Sequence, residues 1–410
     1  MKTSAERLAS LDAFRGFDIL VMIFVNYIAG MPGIPFILRH AAADMDTFTI
    51  TDMVFPGFLF IVGVAIPLSL EKRLALGEPI FKILRRIVLR TAGLLFLGVL
   101  FVNANRYSAA ATGMGRDLWY LLALLATVLL WMTYPKTEKP SRRRLYLGLR
   151  IGAAAALTIL VVLWRGRNPD GTFSWLHHSW WGILGMIGWV YLGGCLLYLI
   201  VKGSRTWLMG GLGFQVALYI GARHGALGFL GPVNEFVYVG SIFGSHLAIV
   251  TAGMLIGTLF TPPGAGLKPR ARIVWMAVFS AGLLASGFLL RPLHGFSKNQ
   301  GTESYCLATA GICGLLLLHF YWLMDVVRLR GWAGFLRPVG RNPLLAYILP
   351  DIVRSLIDLG SGLFRLNLWK AVFPYWERGG VPGILSAAAM TGIILLMTWV
   401  LTRQKVIIKI

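Results

Sequence analysis

Met53–Leu70 reads MVFPGFLFIVGVAIPLSL, eighteen residues without a charge, which is the length and composition of a helix that crosses a bilayer. Apolar windows of similar length recur along the chain. They fall near 14–30, 53–70, 87–103, 118–134, 147–164, 180–201, 206–221, 241–260, 273–290, 304–324, 343–359 and 383–402. The weakest are 206–221 and 343–359, the latter because Asp351, Arg354 and Asp358 lie in it. Composition agrees: 57% of the 410 residues are hydrophobic and 14% are charged, and mean hydropathy is +0.71. A soluble domain carries about 25% charged residues, so this chain lacks the charge to cover a water-facing surface. The expected fold class is all-α, a polytopic integral membrane protein of about twelve helices.

The net charge of +22 comes from 39 Lys and Arg against 17 Asp and Glu. In a soluble protein it would suggest nucleic acid. Here the basic residues cluster at Lys72–Arg90, Lys136–Arg150, Lys268–Arg272, Arg328–Arg341 and Arg403–Lys409, between the apolar windows. That is the pattern of cytoplasmic loops, and no nucleic-acid partner is expected. With both termini inside, 27 of the 39 basic residues fall inside and 12 outside, so both termini are expected to be cytoplasmic. The run Phe17–Ala29 is interrupted by Asp18 and Asn26 and lacks a clean small-x-small cleavage site. It is therefore read as a retained first helix rather than a signal peptide. Cys195, Cys306 and Cys313 sit in apolar runs without metal-ligand spacing and are read as packing residues. No repeat clear enough to indicate a transporter is present. The chain is treated as one domain, 1–410.

Chemistry concentrates in the first helical hairpin, residues 14–70. Asn26 closes the first helix, His40 follows in the loop, and Asp52 opens the second helix. An amide, an imidazole and a carboxylate thus come to one end of the hairpin, where polar groups at lipid depth usually face a cavity or a partner. Imidazole titrates near neutral pH and can take a proton from an attacking amine or hydroxyl. An amide can donate to a developing oxyanion, and Asp52 can orient the ring. The plainer readings are a solvated loop histidine, an interhelical amide bond and an ordinary helix cap. His246, after Gly244-Ser245, could face the same cavity, although a satisfied core histidine fits its surroundings better. His177-His178 before Trp180-Trp181 reads as a membrane-interface cluster. His224, His294 and His319 form no constellation in the sequence, and no spacing indicates a metal. Asp351 and Arg354 are an i,i+3 pair that can neutralise itself and is read as structural.

The hairpin resembles the heparan-α-glucosaminide N-acetyltransferase family and its bacterial relatives. The resemblance rests on Ser10, Asp12, Phe14, Arg15 and Gly16, then Phe24-Val25-Asn26, His40-Ala41, and Asp52, Val54–Pro56, Phe58 and Phe60. Lys298-Asn299 with Ser304-Tyr305, and Gly340-Arg341-Asn342-Pro343-Leu344-Leu345-Ala346-Tyr347, match two later family segments. The resemblance implies a membrane-embedded acetyltransferase that takes acetyl-CoA from the cytoplasm and acetylates an extracytoplasmic amino sugar or other saccharide. His40 would be the catalytic residue, as base or acetyl carrier, with Asn26 in the same site. Asp52, Lys298, Asn299 and His246 are carried as substrate-binding residues. The resemblance further implies acetyl-CoA as donor substrate, no metal, a homodimer, membrane lipids as surroundings and a bacterial inner-membrane location.

Three departures bear on specificity. The family's middle helix often opens Gly-Val-Leu-Gln-Arg-Ile-Gly, whereas Gly182–Gly188 here lacks the Gln-Arg pair. Ala43 and Asp44 stand where a Trp often follows the His-Ala. The helices within 118–164 are additional to the family's core of ten. The alternative reading is a secondary transporter or flippase of an envelope precursor, which would need no CoA.

Overall fold

The computed structural model describes residues 8–168, 170–373 and 378–409. Among these residues, twelve helices of 11 residues or more overlap the apolar windows. They are α1 (Ala9–Ile28), α2 (Ile50–Ala75), α3 (Ile80–Asn103), α4 (Arg116–Trp131), α5 (Pro140–Leu163) and α6 (Ile183–Ile200). The series continues with α7 (Arg205–Arg223), α8 (Leu247–Gly257), α9 (Pro269–His294), α10 (Glu303–Tyr321), α11 (Pro343–Phe364) and α12 (Gly380–Arg403). Among the described residues, eight helical segments are long and apolar enough to cross a membrane: α2, α3, α5, α6, α9, α10 with its extension, α12, and α8 with its flanking turns. Asp12, Arg15 and Asp18 break up α1, and Asp351, Arg354 and Asp358 break up α11. The α4 helix has 16 residues, and α7 is diluted by glycines and Gln215. The protein is an all-α polytopic membrane protein; a two-residue antiparallel ladder, Gly166–Arg167 with Phe173–Ser174, is a small exception.

The centre of the bundle is α8, entered through a π-helical turn at Gly240–His246, and α8 itself is buried along its whole length. It lies against α2 without side chains between the backbones. A Cβ on Gly63 would stand 2.1 Å from the Val250 carbonyl oxygen, and one on Gly253 would stand 2.3 Å from that of Phe60. Lipid tails are as apolar as leucine, so close backbone approach and dispersion hold such helices together. Gly253→Ala is therefore expected to force α2 and α8 apart and cost about 1–3 kcal/mol. The check is the apparent unfolding temperature in detergent, which should fall by several degrees; an unchanged value would remove this contact from the core.

Two segments 325 residues apart, around Arg15 and Gly340, meet at one end of the bundle. The short helix Leu336–Arg341 packs on the start of α1, where a Cβ at Gly16 would collide with the Leu336 carbonyl and one at Gly340 with that of Asp12. Arg15 donates to the Gly340 carbonyl at 3.1 Å. Asn342, fully buried, donates to Thr402 Oγ1 and the Val406 carbonyl and accepts from the Ile408 amide. The C-terminal residues are thereby fixed beside the end of α4, where Thr133 N–H meets the Ile407 carbonyl at 2.7 Å. This is the basic end of the bundle. The loop carrying His40 and the start of α2 lie at the opposite end.

The α4–α5 pair lies at the edge. The Trp119 indole of α4 is fully buried and donates to the Leu160 carbonyl of α5 at 3.0 Å. The other face of α4 packs on α11. Cys195, Cys306 and Cys313 are buried and unpaired.

Candidate active site

At the end opposite the basic cluster, α2 begins with a capping box, in which the Asp52 side chain accepts the Thr49 amide at 3.1 Å. A carboxylate three residues into a helix satisfies an otherwise unpaired backbone donor in this way. The same Oδ2 accepts the Ala41 amide at 3.1 Å, which fixes the loop just after His40. The second oxygen, Oδ1, is 2.7 Å from His40 Nδ1. Asp52 therefore both caps the helix and orients the ring, two roles the sequence leaves as alternatives. The Tyr305 hydroxyl donates to the Asp52 carbonyl at 2.5 Å, tying the start of α10 to the same turn.

Lys298 completes the cluster from the connection between α9 and α10. Its Nζ lies 2.9 Å from His40 Nδ1, 3.5 Å from Nε2 and 3.5 Å from Asp52 Oδ1. An ammonium has only donors, so it competes with Asp52 for Nδ1. The anion decides the contest: with Nδ1–H donated to the nearer carboxylate, Lys298 donates to Oδ1 and Nε2 keeps its lone pair. Burial pulls the Lys298 ammonium below the ordinary lysine range, and Asp52 opposes that shift. His40 is half exposed while Asp52 is 1% exposed, so the ring is reachable from outside and its anchor is not.

The Lys298 loop is held down by residues the sequence did not single out. Asp46, beyond His40, accepts the Phe296 amide at 2.6 Å and the Arg291 guanidinium at 2.9 Å. The Phe296 amide bond, followed by Arg291, lowers the Asp46 carboxyl below its usual value. His294 Nδ1 pairs with the fully buried Glu303 at 2.9 Å, and the His224 ring lies 5.8 Å from that of His294. Those histidines do form a constellation, contrary to the sequence reading, because α7 and α9 bring together residues 70 positions apart.

The remaining candidates are placed differently. His246 is 2% exposed, with Nδ1 2.7 Å from the Ser241 carbonyl, and Gly301 of the Lys298 loop presses on its ring. It supports the loop from beneath. Asn299 is exposed and makes no hydrogen bond among the described residues. Asn26 is exposed on the last turn of α1, and no hydrogen bond joins it to His40. Asp351 does not pair off with Arg354 as expected; it accepts the Tyr120 hydroxyl at 2.9 Å. No group of three or more His, Cys, Asp or Glu that could hold a metal ion occurs among the described residues.

A cavity of about 450 Å³ opens at the basic end. Its rim carries Arg15, Arg73, Arg90, Arg341 and Lys409, and its inner wall is apolar, with Phe58, Ile61, Val62 and Ile187. Along α2 it extends from Arg73 to Phe58, about 22 Å of helix. Asp52 stands six residues beyond Phe58 on the same helix, about 9 Å further. His40 lines neither this cavity nor a second one, of about 580 Å³, at the other end. The two cavities share Ile183, Leu184 and Tyr347, so they meet at an apolar waist formed partly by the segment that lacks the Gln-Arg pair.

The chain is similar to known proteins. Residues 7–238 match the family described as Domain of unknown function (DUF5009). Heparan-alpha-glucosaminide N-acetyltransferase of Homo sapiens is 27% identical over 388 residues, covering 85% of this chain and 53% of the human protein. The Mus musculus protein of the same name is 38% identical over 104 residues, 25% of this chain and 15% of its own. The chain thus spans about half the length of the human relative. It belongs to the DUF5009 family and is similar to heparan-alpha-glucosaminide N-acetyltransferase.

Proposed function

We propose that the protein is a transmembrane acetyltransferase that moves an acetyl group from acetyl-CoA to a sugar across the bilayer. The observation that carries the reading is the basic cavity beneath the His40–Asp52–Lys298 cluster. Coenzyme A has a phosphorylated nucleotide at one end and a long, weakly polar arm at the other. Four guanidiniums and a lysine at the rim suit the phosphates, and the apolar wall along α2 suits the arm, directed toward Asp52. By the distribution of Lys and Arg, the basic end faces the cytoplasm and the His40 end the opposite compartment. All twelve helices then span, with both termini cytoplasmic.

In the proposed reaction the acceptor amine loses a proton to His40 Nε2 and its nitrogen attacks the thioester carbonyl. The C–N bond forms, the C–S bond breaks, and the imidazolium returns the proton to the departing CoA sulfur. Asp52 stabilises the imidazolium, and Asn26, exposed at the end of α1, donates to the carbonyl oxygen as it becomes negative. An acetyl-His40 intermediate is the stepwise form of the same chemistry.

The test is binding of acetyl-CoA to the purified protein in detergent. Arg73→Ala with Arg341→Ala should raise Kd about 10–100-fold at low salt, with free CoA competing. The difference should narrow as salt screens the exposed guanidiniums. Wild-type protein that does not bind acetyl-CoA would overturn the reading. The joined cavities would then be tested as a transport path.

A further inference from the structure

On the outer surface of the bundle, a groove of about 730 Å³ lies between Met209 of α7 and the first turns of α9. Lys268 and Arg270 stand at one end of it, and Val274, Trp275, Val278 and Phe279 follow along the helix. α9 packs on α10 through close contacts at Gly287 and Gly311, which leaves Val274 and Val278 facing outward and exposed. Neither α7 nor α9 contains an Asp or Glu, so neither wall can neutralise the two cations. Both are exposed, and neither side chain makes a hydrogen bond or ion pair among the described residues. Arg272, one turn further, is already committed: it donates to the Gly264 carbonyl at 3.2 Å and lies over the Phe260 ring.

The dimensions are those of one leaflet. From Lys268 to Phe279 the wall runs about 16 Å, close to half of the roughly 30 Å hydrocarbon core of a bilayer. The cations therefore stand at headgroup level, at the end of the bundle opposite His40, and Phe279 lies near the midplane.

Chemistry narrows the occupant further. An acyl chain suits the apolar wall, where the stacked Trp275 and Phe279 rings, 4.8 Å apart, offer a flat surface. A zwitterionic headgroup would bring its own ammonium against two cations. An anionic headgroup brings a phosphate that an unpaired ammonium and guanidinium can hold. A second copy docked through the same face would set Lys268 and Arg270 against their own counterparts at the same depth, like charge against like. We propose that this groove binds an anionic phospholipid of the leaflet at the basic end. Lys268 and Arg270 hold its phosphate, and one acyl chain lies along Val274, Trp275 and Val278. The proposal stands independently of the acetyltransferase reading.

Phosphatidylglycerol and phosphatidylcholine with the same acyl chains are the probes, added to delipidated protein in detergent and counted by native mass spectrometry. The tightest phosphatidylglycerol should bind about tenfold better than phosphatidylcholine. Lys268→Ala with Arg270→Ala should remove that advantage and leave phosphatidylcholine binding unchanged. Val278→Trp, which fills the groove and keeps both cations, should also weaken phosphatidylglycerol about tenfold. Arg142→Ala with Arg143→Ala, an equally basic and exposed pair at the start of α5, should not. All five positions are exposed, so the variants should keep the wild-type unfolding temperature. Equal binding of the two lipids, or an equal loss from the α5 pair, would overturn the site. Unchanged phosphatidylglycerol binding by Val278→Trp would overturn it too, and conversion of a dimer to a monomer by that variant would assign the groove to a second copy instead.

Discussion

His40→Ala should lower the rate of acetyl transfer by about 10²–10⁴-fold, the usual contribution of a positioned general base, while acetyl-CoA binding stays within a few-fold of wild type. The split between the two readouts follows from geometry. His40 lines neither cavity, and the cations proposed to hold the CoA phosphates are at the other end of α2. The ring is half exposed, so its removal leaves no buried cavity, and the unfolding temperature should hardly move. A kcat close to wild type would exclude His40 from the chemistry, whatever acetyl-CoA binding shows. Mass spectrometry of wild-type protein held with acetyl-CoA and no acceptor separates the two routes. An added acetyl group on the His40 peptide indicates the stepwise path.

The hairpin shows how far the sequence reaches. Asn26, His40 and Asp52 come to one end because two consecutive apolar helices, joined by residues 29–49, must turn back at that end. What periodicity could not provide was the third member. Lys298 is 258 residues from His40, and it entered only through resemblance to a family segment. Asp46, which ties down the Lys298 loop, sits in a run with no recognisable motif. Each basic residue at the rim of the basic cavity reads, taken alone, as a charge that sets topology. Their convergence on one rim becomes visible only when Gly16 and Gly340 let α1 and the Leu336–Arg341 helix touch. Asp351 and Arg354 misled for a related reason: i,i+3 spacing shows that two charges can pair, and it carries no information about a tyrosine 231 positions away. Helix positions were legible because lipid imposes length and composition on each span separately. Which residues share a cavity depends on helix rotation, and glycine contacts between distant segments set that rotation.

Asp52→Asn should be nearly as damaging as removal of His40, with a loss of about 10²-fold or more, because the amide selects the wrong imidazole tautomer. In the wild type Oδ2 accepts two backbone amides and Oδ1 accepts from His40 Nδ1. An asparagine can keep its oxygen on the Thr49 and Ala41 amides, so the helix cap survives. Its NH₂ then faces Nδ1, which must become an acceptor, and the proton moves to Nε2, where the acceptor amine would need the lone pair. Loss of the carboxylate also leaves the Lys298 ammonium, already pulled below the ordinary lysine range by burial, without its nearest anion. The imidazolium formed during transfer would then face a cation and no counter-charge. A helix cap with no role in the chemistry predicts a different pattern: because asparagine keeps the cap, Asp52→Asn would leave the unfolding temperature, acetyl-CoA binding and turnover all close to wild type. A drop in kcat at unchanged stability and unchanged acetyl-CoA affinity identifies Asp52 as the residue that sets the tautomer of His40. Normal kcat in a stable Asp52→Asn protein would mean that the 2.7 Å contact holds the loop and does not prepare the base.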